Sequence, residues 1–316
     1  MSQKHPIIAI TGSAGAGTTT VRRVFADIFR RQGVNAQIIK GESFYRHENA
    51  EMERLIAEST HRGNPISHFG PEANLFEKQE SVFAQYAKTG SAEMRHYVKD
   101  AADAAQFKLP IGSFTPWKKM PAGSDLLFYE GMHGGAAAHS WTRRKANPSH
   151  LPQPGQDRRG KAKGVNAAQH VDLLIGVVPA VNLEWIQKIH RDCSRDGCTV
   201  ETTTATILRR MRDYIHFIAP QFGLTDINFQ RMPLVDTSHP FIARDIPTAD
   251  ESIVVVHFRD PQRFNLPDIQ QRIAGSFMSR PNTLVVPGGK MSMALSVICT
   301  PLIRSMIEKK SAKALA

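Results

Sequence analysis

The chain has 316 residues and a formal net charge of +11, with 41% hydrophobic and 22% charged residues. That composition excludes a disordered tail and supplies enough apolar material for a large core without covalent staples. Three cysteines, Cys193, Cys198 and Cys299, exclude a disulfide-built scaffold and point to a reducing, cytoplasmic setting.

Taken in chain order, the first element is a short apolar, β-branched run, Pro6 to Thr11. It is too short for the core of a signal peptide, and no apolar run in the chain approaches the roughly 20 residues of a membrane span. A glycine-rich turn, Gly12 to Gly17, follows. Val21, Val24, Phe25, Ile28 and Phe29 then recur at i, i+3, i+4, i+7 and i+8, one face of an amphipathic helix that Gly33 ends. Ala36 to Ile39 is the next expected strand. Leu126 to Tyr129, Leu173 to Val178, Leu234 to Val235, Ile253 to Phe258 and Thr283 to Val286 are the further ones. Most are continuous rather than alternating in apolarity, the pattern of strands covered on both faces. The expected fold class is therefore α/β, a mixed, mostly parallel sheet with helices on both faces. A single domain over 1–316 is expected.

One segment breaks the pattern. From Ala136 to Gly164 the chain is polar, basic and rich in proline and glycine. Between Trp141 and Gly164 alone the net charge is +6, so the rest of the chain carries a modest +5. The segment reads as a loop insertion without a role, as a basic lid over a phosphate site, or as a nucleic-acid arm. The last ranks lowest, because only Trp141 offers an aromatic stacking surface.

The strongest motif is Gly12-Ser13-Ala14-Gly15-Ala16-Gly17-Thr18-Thr19. Its spacing is that of the phosphate loop G-x-x-x-x-G-K-[ST], with Thr18 in the lysine position. The strand before it and the helix after it are the context in which backbone N–H groups and a helix N-terminus cradle phosphate. Thr19 is then placed for Mg²⁺. The alternative is a glycine turn that merely packs helix on strand. Loss of the lysine requires another cation elsewhere.

Three acidic or basic clusters are candidates to complete a site. Glu42, in Gly41-Glu42-Ser43-Phe44-Tyr45-Arg46, sits at the carboxyl end of a strand, as a general base would, with Arg46 beside it for an anionic group; both also read as plain surface residues. Glu130 ends an apolar strand, the arrangement of an acid that reaches Mg²⁺. On the helix after Leu173 to Val178, Glu184, Lys188, Arg191 and Asp192 share a face. They form either a solvated salt-bridge face or the source of the missing cation, Lys188, with Arg191 next to it. His190 reads as structural, and Cys193 and Cys198 lack a second ligand pair at zinc spacing. The doublet Arg209-Arg210 reads first as a solvated helix face.

These residues resemble the bacterial phosphoribulokinase family, including the phosphoribulokinase-like proteins of heterotrophic bacteria. The matching segments are Lys4 to Ile8, Gly12 to Thr20, Ser67-His68-Phe69-Gly70-Pro71-Glu72-Ala73-Asn74, Phe128 to Gly134, Gly176 to Asp192, Thr225 to Arg231, Asp236 to Ser238, Pro240 to Ala243, Pro247 to Ser252 and Val285 to Gly288. The resemblance implies a P-loop kinase that moves the γ-phosphoryl group of ATP, with Mg²⁺, to ribulose 5-phosphate. It implies Glu42, Lys188, Arg191 and Asp192 as catalytic residues and Gly12 to Thr19 as the nucleotide loop. Tyr45, Arg46, His47 and Arg195 would meet the sugar phosphate, and Thr19 and Glu130 the metal. It further implies a homo-oligomer, with NADH or AMP as effector.

Departures lie on the acceptor side. Glu42 stands for the family's aspartate; its extra methylene moves the carboxylate outward by roughly 1 Å, a displacement able to cost on the order of 10²-fold in rate. Tyr45 stands for a histidine, Asn49 and Asp196 for arginines, and His257 for an arginine tied to effector response. These changes leave three outcomes open: altered phosphoribulokinase kinetics, a kinase for a related sugar or sugar phosphate, or a catalytically weak nucleotide-binding regulator.

Overall fold

The computed structural model describes residues 5–12, 18–141, 164–195, 197–242 and 245–315. In chain order its main elements begin with β1 (Ile7–Thr11), α1 (Thr18–Gln32), β2 (Ala36–Lys40), α2 (Asn49–His61), α3 (Phe76–Thr89), β3 (Glu93–Met94), α4 (Ala101–Phe107), β4 (Lys118–Lys119) and β5 (Leu126–Gly131). They continue with β6 (Leu173–Pro179), α5 (Val181–Arg195), α6 (Val200–Asp213), β7 (Ile227–Pro233), β8 (Ser252–Phe258), α7 (Leu266–Arg272), β9 (Phe277–Arg280), β10 (Thr283–Pro287) and α8 (Met291–Leu315). Eight strands form a mixed sheet in the order β2-β5-β1-β6-β7-β8-β10-β9, and β3 pairs with β4 separately. The expected α/β class with a mixed sheet is the observed one.

The chain divides into two compact units, each discontinuous in sequence. The first comprises 1–9, 35–172 and 209–224. Here β2 runs parallel to β5, with Ala36 opposite Leu126 and Lys40 opposite Glu130. Leu126, Leu127, Phe128 and Tyr129 are all buried, which explains the continuous apolar run of β5. α3 buries Phe76, Val82, Phe83, Tyr86 and Ala87, and Phe83 meets Tyr129 edge-on with ring centroids 5.5 Å apart. Its cap is Gly90, at φ +73°, a left-handed conformation that glycine adopts at little cost.

The second unit comprises 10–34, 173–208 and 225–316. β6 is parallel to β7, and β7, β8, β10 and β9 then pair antiparallel. β8 alternates between buried and less buried positions, the mark of a sheet with one covered face. α1 buries the predicted stripe Val21, Val24, Phe25, Ile28 and Phe29, and packs against α8. Asp226 anchors the unit: its buried carboxylate accepts from Leu174 N at 2.8 Å and from Arg259 at 2.6 Å.

Three expectations need correction or placement. Leu234 and Val235 are not a strand: β7 ends at Pro233, and both residues are exposed. A proline offers no N–H to a ladder, which fits a strand that stops there. Against the expectation that no stretch approaches a membrane span, Gly288–Ser311 is, by length and composition, apolar enough to cross a membrane. It carries α8, whose Ala294, Leu295, Ile298, Cys299 and Ile303 are buried, so its apolarity serves the core of the second unit. Most of the basic stretch expected at 136–164 lies outside the described residues.

Candidate active site

In the first unit the site begins where β2 ends. The chain enters a tight 3₁₀ turn, Gly41–Phe44, that carries Glu42 out of the strand. Its start is possible only because two glycines meet. A Cβ on Gly131 would lie 2.7 Å from the Gly41 Cα and 2.6 Å from the Tyr129 hydroxyl. The ends of β2 and β5 therefore approach closely, with Glu42 just past the end of β2 and Glu130 near the end of β5.

Glu42 is partly buried, and its Oε1 accepts from Lys99 Nζ at 2.8 Å. Burial alone would raise the Glu42 pKa, but the ammonium of Lys99 overrides it and holds the carboxyl below its ordinary value. A 240 Å³ cavity opens here, lined by Glu42, Lys40, His96, Tyr97, Lys99 and Asp103 among others. Tyr45 packs against His68, with ring centroids 5.1 Å apart, and against Tyr97 at 5.6 Å. Burial pushes its phenol upward, so it stays a neutral donor.

Arg46 and His47 follow the turn but face other partners. Arg46 donates to the Asn74 carbonyl at 3.0 Å, and His47 Nδ1 lies 3.1 Å from Glu51 Oε2 on α2. Asn49 heads α2 and donates to Glu53 Oε1 at 2.8 Å. The Arg209-Arg210 doublet is not a simple solvated face. Arg209 donates to the Ile66 carbonyl at 3.2 Å, and Arg210 lies 5.9 Å from the Phe69 ring centroid.

The same unit contains a buried polar network. Gln79 donates to the His133 carbonyl, Gln221 Oε1 accepts from Gly135 N, and Gln221 Nε2 lies 3.2 Å from His133 Nδ1. Burial pushes His133 down to about 4, so it is neutral at pH 7.

In the second unit α5 gathers the expected cluster. Asp192 Oδ2 forms an ion pair with Lys188 one helical turn earlier, and its Oδ1 accepts from Arg191 Nε at 3.2 Å. Lys188 and Asp192 are largely buried, with side chains 14% and 13% exposed. One carboxylate thus pre-orients two cations. Glu184, expected on the same face, lies in the first turn of α5. Ser13 to Gly17 lie outside the described residues; Gly12 is buried at the end of β1, and Thr18 and Thr19 open α1. The side chains of Thr18, Thr19 and Arg195 also lie outside the described set, as does Asp196. His257 lines a separate 460 Å³ cavity with Arg280 and lies 3.1 Å from Asn282 Nδ2.

Arg95, Tyr97 and Lys99 are residues that sequence reasoning missed. Their signal is period two: three chemistry-bearing side chains at alternate positions of an extended stretch. His68 lay inside a matching segment but was given no role.

A glycine-rich connection from β1 to α1, in a mixed α/β sheet, defines a P-loop kinase fold. The chain belongs to the phosphoribulokinase / uridine kinase family, whose model matches residues 7–143 and 154–238. It is 49% identical over 311 residues to a phosphoribulokinase of Nitrobacter vulgaris, covering 98% of this chain and 99% of the relative. The chromosomal phosphoribulokinase of Cupriavidus necator is 49% identical over 311 residues, with 98% of each chain covered. Among solved structures, a Rhodobacter spheroides phosphoribulokinase matches with TM-score 0.82 at 45% identity, over 98% of this chain and 99% of that one.

Proposed function

We propose that this chain is an ATP-dependent phosphotransferase that moves the γ-phosphoryl group of ATP to a hydroxyl of ribulose 5-phosphate, giving ribulose 1,5-bisphosphate. The observation that carries the reading is the α5 cluster. The glycine loop has Thr18 where a lysine is usual, so a cation for the transferring group must come from elsewhere. Lys188 and Arg191, held on Asp192, supply it. Kinship of 49% over 98% of the chain to a protein named phosphoribulokinase supports the choice of acceptor.

In this reading Gly12 to Thr19 hold the triphosphate through backbone N–H groups. Glu42 accepts the proton of the acceptor hydroxyl, and Lys188 and Arg191 neutralise charge on the passing phosphoryl group. Tyr45, Arg46, His47 and Arg195 are assigned to the sugar phosphate. Thr19 and Glu130 offer hydroxyl and carboxylate oxygens, the hard donors Mg²⁺ takes; they would hold the ion, whose chemistry would be neutralisation of phosphate charge. The whole chain acts as one kinase domain, in the cytoplasm, as a homo-oligomer that responds to NADH or AMP.

The Asn49 position favours a second reading, a kinase for a related sugar phosphate. Its side chain bonds Glu53, so it brings no charge to an acceptor phosphate. The test of both is ADP release from MgATP by the purified chain with ribulose 5-phosphate, ribose 5-phosphate, uridine or no acceptor. Turnover with ribulose 5-phosphate far above the others is expected. Turnover confined to another acceptor would replace the first reading by the second. Light scattering with and without NADH and AMP, beside rates, tests assembly and effector response.

A further inference from the structure

The stretch 93–99 runs extended. Beyond β3 it continues by bonding to a second segment, with Thr115 N to the His96 carbonyl and Val98 N to the Ser113 carbonyl, each at 2.9 Å. Alternate side chains of an extended backbone share a face. Here Arg95, Tyr97 and Lys99 all meet the turn that carries Glu42. Arg95 Nε donates to the Ser43 carbonyl at 2.9 Å, and its second nitrogen bonds the Tyr45 carbonyl. The guanidinium lies 3.7 Å from the centroid of Phe114 and 4.9 Å from that of Trp117, which fixes its plane. Tyr97 packs edge-on to Tyr45. Lys99 closes the set on the Glu42 carboxylate.

We infer that Arg95 and Lys99 are positioning residues for Glu42: Arg95 fixes the backbone of its turn, and Lys99 fixes its carboxylate at the rim of the cavity. The inference rests on Glu42 as the base. The fork of Arg95 suits two carbonyls two residues apart, a task one ammonium cannot perform with the same rigidity. The Lys99 pair, with side chains 61% and 24% exposed, adds little to stability, so its value lies in geometry. It also answers the extra methylene of Glu42, since a longer carboxylate arm has more rotamers and gains more from a tether. The other charged or titratable groups at the cavity are Lys40, His96, Tyr97 and Asp103. None of them shares a hydrogen bond with the Glu42 side chain among the described residues.

The experiment compares Lys99→Met, Lys99→Arg, Arg95→Lys and Glu42→Gln in the full chain, with kcat and KM measured separately for ATP and ribulose 5-phosphate. Lys99→Met should lower kcat on the order of 10-fold with KM for ATP unchanged, and Lys99→Arg should restore most of it. Arg95→Lys should lower kcat in the same way. Lys99 is exposed, so its variants keep the fold even if an Arg95 variant does not. Lys99→Met with parental kcat, beside an inactive Glu42→Gln, would overturn the positioning role and leave the base standing. A fall in kcat matched by a rise in KM for ATP would mark a merely structural role and equally overturn it. An active Glu42→Gln would instead bring down the base assignment on which the inference rests.

Discussion

The turn at Glu42 and the helix at Asp192 solve the same problem in opposite ways. Both hold a carboxylate against cations. On α5 one largely buried acid gathers two cations from its own helix, Lys188 one turn away and Arg191 next to it. At the turn one exposed lysine reaches a single acid from 57 residues away. The buried cluster is costly to break, because each charge left alone is poorly solvated. The exposed pair is easily broken and easily replaced. Of the chain's departures from the family pattern, Glu42 lies at this exposed pair, where the electrostatic penalty for change is small, whereas Lys188, Arg191 and Asp192 of the buried cluster keep the pattern.

The largest expected effect is at the buried cluster. Lys188→Met should lower kcat on the order of 10²- to 10³-fold, as loss of one pre-placed donor does elsewhere, with a smaller change in KM for ATP. Unchanged kcat would remove Lys188 from the chemistry. Glu42→Gln should cost on the order of 10²-fold or more if the side chain takes the proton. Glu42→Asp shortens the arm away from Lys99. It should change kcat differently in the parent and in a Lys99→Met background, and equal changes in both would show that the tether and the arm are independent.

Two smaller effects concern stability in the first unit. Gly131→Ala forces a methyl against the Gly41 backbone and the Tyr129 hydroxyl, and should cost about 1–3 kcal/mol in urea unfolding. An unchanged midpoint would mean the ends of β2 and β5 can part. His133 is held at about 4, against an ordinary value near 6.5. As pH falls below 6.5 the unfolded chain binds a proton that the native histidine refuses. Stability is therefore full above that pH and is lost between about pH 6.5 and 4, by about 3 kcal/mol. Asp213, whose carboxyl is raised by burial, contributes with the opposite sign, favouring the folded chain as it takes up its proton. His133→Asn should flatten the decline between pH 7 and 4.5, and an equally steep decline in that variant would clear His133 of the effect.

Much of the fold was legible because its signals are local. The stripe on α1 and the apolar runs of β1, β2, β5, β6, β8 and β10 are written in adjacent residues, and backbone geometry turns each period into an element. The α5 cluster was legible for the same reason, since a helix always brings i and i+4 together. β7 was misplaced towards Leu234 because its true residues, Ile227–Pro233, alternate in part with polar side chains. α8 was not read as an element, because its apolar residues are spread around the helix rather than along one stripe.

By itself, then, the sequence determined the α/β class, the loop between β1 and α1, and the face that joins Lys188, Arg191 and Asp192. Tertiary structure alone decided which cation reaches Glu42, why Gly41 and Gly131 admit no side chain, and how deeply His133 is buried. The difference is physical. Contacts within one element follow from a fixed rise and rotation per residue. Contacts between Glu42 and Lys99, or Gly41 and Gly131, exist only once separate segments have packed, and no local period encodes them.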